Sequence, residues 1–167
     1  MATKLQHPVT YPLSLDRVRA AVSDRAYWEA LAASVEKSPG EVKSVDVSGD
    51  QVTVELTQRI PSDKLPSVVT SLVSGDLAIE RTMSWTFSSD TAAQGTFHAT
   101  VPGTPATTEG SFSLREDGGT TVAEFDGSVT VRIPLVGGKI EKLISQNMLT
   151  LFDAERDFTV AWDDEKG

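Results

Sequence analysis

The chain has 167 residues, 24 Asp and Glu against 15 Lys and Arg, a formal net charge of -9, 39% hydrophobic residues and no cysteine. That length suits one domain able to bury a core without covalent staples, and the missing thiols exclude disulfides, zinc–thiolate centres and cysteine nucleophiles. An acidic chain without basic runs argues against nucleic acid as a partner, no apolar run approaches the ~20 residues of a membrane span, and Met1–His7 carries no apolar leader core, so a cytoplasmic protein without stable membrane insertion is expected.

Leu5, His7, Val9 and Tyr11 alternate with polar residues and read as a first strand, with His7 in the apolar phase and Pro8 favouring an edge or a bend. Ser14 then has the character of an N-cap for a short helix carrying Leu15, Val18 and Val22. Ser23-Asp24 restarts a second helix with Tyr27, Trp28 and Leu31, and Pro39-Gly40 closes the pair. Val45 and Val47, the turn Ser48-Gly49-Asp50, then Val52, Val54 and Leu56 make a hairpin. Its second strand is two-faced, with Gln51, Thr53, Glu55, Thr57 and Arg59 toward water and Gln58 in the inner phase.

Ile60-Pro61-Ser62-Asp63 breaks the sheet. Leu65, Val68, Val69, Leu72 and Val73 follow at helical spacing, a short amphipathic segment placed to cover the sheet's open side. Four strands come next. Leu77, Ile79, Met83, Trp85 and Phe87 share a phase with Arg81. Gly95, Phe97, Ala99 and Val101 share another, with His98 outward. Thr108, Gly110, Phe112 and Leu114 follow. After the turn Asp117-Gly118-Gly119 come Ala123, Phe125, Gly127, Val129, Val131 and Ile133. Glycines at inner positions 95, 110 and 127 suit bent strands.

Gly137-Gly138 opens the last element. Ile140, Leu143, Ile144, Met148, Leu151, Phe158 and Trp162 recur at helical spacing, with Lys139, Lys142, Gln146, Asp153, Arg156 and Asp157 opposite. At 1.5 Å per residue this helix is ~38 Å long. A helix apolar on one side must lie along something, and a curved antiparallel sheet is what the rest supplies. The expected architecture is α+β.

This order, with Asp24-Arg25-Ala26-Tyr27-Trp28 in the early helices and Pro134-Leu135-Val136-Gly137-Gly138-Lys139-Ile140-Glu141 leading into the last one, resembles the START-like superfamily, also called SRPBCC or polyketide-cyclase-like. Within it the chain resembles a bacterial family without an assigned function. The resemblance spans essentially residues 1–167, read as a single domain. It implies a helix-grip fold, the START/Bet v 1-like arrangement in which a seven-stranded antiparallel sheet wraps a long C-terminal helix and leaves a cavity between them. Members bind lipids, sterols, hormones or polyketides, and some are enzymes. They share no catalytic motif, so no catalytic residue transfers.

Phosphate-binding, nucleophile-elbow and paired-histidine motifs are absent. Asp46-x-Ser48-x-Asp50 fails as a calcium loop because Gln51 and Thr57 stand where glycine and glutamate are needed. No metal or cofactor is expected. The informative residues are polar ones in apolar phase: His7, Gln58, Arg81, Thr108, Asn147 and Glu155. Arg81 and Glu155 either pair with each other, or Arg81 grips a carboxylate, phosphate or enolate while Glu155 moves a proton, unless a bulge or fray exposes one of them. His7 reads best as a satisfied or rim histidine, Gln58 and Thr108 as strand-end polar groups, Trp28 and Trp162 as packing anchors. The candidate ligand-binding set is Arg81, Met83, Trp85, Phe97, Phe112, Phe125, Asn147, Leu151 and Glu155. The expected function is binding of a small hydrophobic molecule. The alternatives are a cyclase- or dehydratase-type enzyme, or a structural or protein-partner domain with a filled interior.

Overall fold

Alternating apolar residues commit most of the chain to strands. The computed structural model describes residues 2–34, 39–64, 67–71, 75 and 77–166, with the side chains of 64, 68, 69, 147 and 166 outside that description. Among the described residues seven strands form one sheet: β1 (Ala2–Tyr11), β2 (Glu41–Ser48), β3 (Gln51–Ile60), β4 (Leu77–Phe87), β5 (Ala92–Thr100), β6 (Ala106–Asp117) and β7 (Thr120–Val131). Their order is β1-β7-β6-β5-β4-β3-β2 and every pairing is antiparallel. Strands β2 to β7 thus follow as a meander, and β1 returns to pair with the last of them. Helices α1 (Leu15–Val22) and α2 (Arg25–Ala33) carry the chain from one sheet edge to the other. The long helix α4 (Gly137–Lys166) lies chiefly along β1 and β7, with α1 beside it.

The β6–β7 hairpin turns on Gly118 and Gly119, both at positive φ (61° and 83°), as a two-residue turn of the primed type requires. Gly110 and Gly127 face each other across β6 and β7. A Cβ on either would sit 2.9 Å from Phe97 Cζ, so these glycines make a floor on which the Phe97 ring lies. Ser14 stands at the N-cap of α1 but makes no side-chain capping bond. Glu116 of β6 does that work instead, accepting from the Leu15 N–H at 2.7 Å. Asp24 caps α2 through the Ala26 N–H at 2.9 Å.

Three expectations change. Thr57 is buried rather than facing water, because the Pro39-Gly40 stretch lies over its backbone: a Cβ on Gly40 would collide with the Thr57 carbonyl, and Arg59 donates to the Pro39 carbonyl at 3.0 Å. The apolar stripe of α4 also includes Phe152, which is buried, whereas Leu151 is only partly so. The last strand stops at Val131, short of Ile133. The segment expected to cover the sheet contains a 3-10 turn at Ser62–Lys64 and a short helix α3 (Ser67–Thr70). Leu65, Leu72 and Val73 and the side chains of Val68 and Val69 lie outside the described residues.

Glu141, in the run that carried the family resemblance, ties the start of α4 to the sheet. Its carboxylate accepts from the Val131 N–H and from Thr3 Oγ1, both at 2.9 Å, and is enclosed. The Val131 bond holds the carboxyl pKa below its ordinary value; burial opposes this and the Thr3 bond assists it. A carboxyl more acidic folded than unfolded adds stability that is complete above the unfolded value, about 4.3, and disappears as pH falls through the folded value. Wild type is therefore expected to lose more stability than Glu141→Gln between pH 6 and pH 3, measured by urea unfolding. Equal losses would show that the carboxylate is not held this way.

Candidate functional site

The inner face of β4 presents Leu77, Ile79, Arg81, Met83, Trp85 and Phe87, so strand periodicity alone drives one guanidinium into the interior. Arg81 is 6% exposed. Its Nη1 donates to Glu155 Oε2 and to Gln58 Oε1, each at 2.6 Å. Its Nη2 reaches Glu155 Oε1 at 3.3 Å and Met83 Sδ at 3.1 Å. Glu155 comes from α4 across the interior, so the ion pair bridges sheet and helix in bidentate geometry. Of the arrangements open to the sequence, the mutual pair is the one observed. Gln58 is not merely a strand-end group. Leu56 stands opposite Arg81 in the β3–β4 register, which sets Gln58 on the diagonal, within reach of the guanidinium.

The polar network continues along α4. Thr159 Oγ1 donates to the Glu155 carbonyl and lies 2.7 Å from the Tyr27 hydroxyl. Tyr11 and Tyr27 line the same space as Arg81 and Glu155. Burial, and after it the Glu155 charge, pushes both phenol pKa values up, so both rings keep their protons at physiological pH. His7 sits at the rim, its Nε2 2.9 Å from Asp153 Oδ1 and its ring over Phe152. Asp153, assigned to the solvent face by periodicity, is half exposed and partners it there.

Seven of the proposed site residues fill a space more than they line one. Trp85, Phe112, Phe125 and Phe97 pack ring against ring at centroid distances of 5.6 to 6.1 Å. Phe152 descends from α4 and stacks on Phe125 at 4.1 Å. With Arg81, Met83 and Glu155 they leave a cavity of about 60 Å³, room for a few water molecules.

A larger hollow of about 480 Å³ lies beside it under α4. Ile60, Leu77 and Ile79 make one wall, Ala99, Val101, Ala106, Thr107 and Thr108 a second, and Ile144, Met148, Thr150, Leu151 and Ala154 of α4 the third. No described lining residue is charged. Ala99 and Met148 line both spaces. Leu151 is the member of the proposed set that falls here, and the side chain of Asn147 lies outside the described residues. Periodicity did not single out the Ile60–Leu77–Ile79 wall, because those residues look like ordinary strand-end core. Among the described residues there is no cluster of three or more metal-ligating acidic, His or Cys side chains, and no helix long and apolar enough to cross a membrane.

A sheet gripping a C-terminal helix over a hollow is the helix-grip architecture of the START-like superfamily. The chain belongs to the family described as "Protein of unknown function (DUF2505)", whose model matches residues 6–162. It is 31% identical over 160 residues to the uncharacterized protein Rv0481c of Mycobacterium tuberculosis, covering 91% of each chain. Among solved structures it resembles TTHA0849 from Thermus thermophilus (TM-score 0.58, 16% identity, 95% of this chain and 98% of that one). It also resembles a START superfamily protein from Mycobacterium smegmatis (TM-score 0.51, 13% identity, 98% and 99%).

Proposed function

We propose that this chain, acting as one domain, binds a small, largely hydrophobic molecule between its sheet and α4. The observation that carries this reading is the hollow of about 480 Å³ beneath the helix, with no charged residue among its described lining. Its size falls in the range of roughly 300–1,000 Å³ typical of small-molecule sites, and its lining is apolar with a few hydroxyl groups. The aromatic centre beside it supports a filled interior for that half of the molecule only. A cyclase- or dehydratase-type reading would use Arg81 to stabilise an oxyanion and Glu155 or His7 to move protons; Arg81 already holds both Glu155 oxygens and His7 is paired with Asp153, which favours binding over turnover.

Organic extraction of the purified protein, followed by mass spectrometry, should release a lipophile. Ala154→Trp, a solvent-exposed position on the pocket's helical wall, is expected to weaken binding of an apolar fluorescent dye by ~10-fold or more, since a well-placed obstruction removes over 1.4 kcal/mol of binding free energy, with little change in stability. Undiminished dye binding in that variant would place the ligand elsewhere.

A further inference from the structure

The pocket's polar groups narrow the class of molecule it takes, an inference that rests on the binding reading above. Thr108 is 5% exposed and lies on the inner phase of β6, opposite Ala99 and Val129 in the two flanking registers. Its hydroxyl has no hydrogen-bond partner among the described residues. Yet no sealed-off side-chain polar atom there lacks a partner, so this oxygen retains open space beside it, and the space it lines is the pocket. Two other hydroxyls line the pocket: Thr107, the half-buried neighbour of Thr108 on β6, and Thr150 on the helical wall, which is already committed to the Gln146 carbonyl at 3.3 Å.

The inward cation nearby offers an anion little. Arg81 is neutralised by Glu155 in bidentate contact and also holds Gln58. Arg81 and Glu155 line the small aromatic cavity and not this pocket. At the inner wall beside Thr108, a carboxylate or phosphate would lose much of its water without a free counter-charge among the described residues, which is unfavourable. A hydroxyl or carbonyl group would lose far less and would gain Thr108, since a threonine hydroxyl both donates and accepts. We infer that the pocket selects an uncharged lipophile bearing a hydroxyl or carbonyl group, anchored on Thr108 Oγ1, over a fatty-acid anion.

Displacement of an apolar dye at neutral pH by decan-1-ol and by decanoate tests this. Wild type should prefer the alcohol by ~10-fold or more, given what burying an unpaired charge costs. Thr108→Val removes the hydroxyl with almost no change of shape and should weaken decan-1-ol by ~3- to 10-fold, the net effect of one neutral hydrogen bond, leaving decanoate unchanged. Thr108→Ser should restore the alcohol. Decanoate binding as tightly as the alcohol, or a Val variant that holds decan-1-ol like wild type, would overturn the inference while leaving a binding pocket in place. Failure of dye and both ten-carbon probes to bind would remove the binding reading and this one with it.

Discussion

Glu155→Ala is expected to destabilise the fold by about 3–5 kcal/mol, the usual cost of stranding one member of a buried ion pair. The mechanism is specific. Arg81 is 6% exposed and would keep only Gln58 and the Met83 sulfur as partners. Replacing both charges, as Arg81→Met with Glu155→Leu, should recover most of the loss, because well-packed apolar residues often match or exceed a buried pair. Urea unfolding of wild type, Arg81→Met, Glu155→Leu and the double variant closes a double-mutant cycle that gives the coupling directly. A single-mutant cost near that of a surface pair, below about 1 kcal/mol, would mean that water reaches the guanidinium.

Phe152→Ala should cost about 3–5 kcal/mol, the range for emptying a large aromatic site in a core. Phe152 stacks on Phe125 at 4.1 Å and meets Phe97 edge-on at 6.1 Å, so its ring joins α4 to β5 and β7 at one point. Removing it enlarges the cavity of about 60 Å³ next to it. The loss should appear in the denaturant midpoint with an unchanged slope. A cost under about 1.5 kcal/mol, the range of a tolerated core swap, would indicate that the aromatic centre is loosely packed and itself open to ligand.

The sequence made the sheet legible because period-two alternation forces its own register: once Val52, Val54 and Leu56 face inward, so must Gln58, and once Met83 and Trp85 do, so must Arg81. Helical spacing, which sets Glu155 within the apolar stripe of α4, identified its partner on the facing element. Alternation could not say where those polar groups point along the strand. Gln58 therefore looked like a strand end until the β3–β4 register set it diagonally beside Arg81. Phe152 was missed because the helical stripe was drawn through Leu151, one residue away, and the face of a long helix drifts along its length. The division of the interior into a packed aromatic half and an open aliphatic half depends on how far each ring reaches across the gap, which no linear pattern encodes. Phe97 fits where it does because two glycines face each other beneath it.

The account rests on the aliphatic hollow beneath α4 being the place where a ligand enters. Methyl-resolved NMR during titration with decan-1-ol reads this residue by residue. The methyl groups of Ile60, Leu77, Ile79, Ile144 and Leu151 should shift together and saturate, while those of Val52 and Val54, away from the pocket, stay in place. No saturating shift, or shifts confined to methyls that do not line this space, would contradict it.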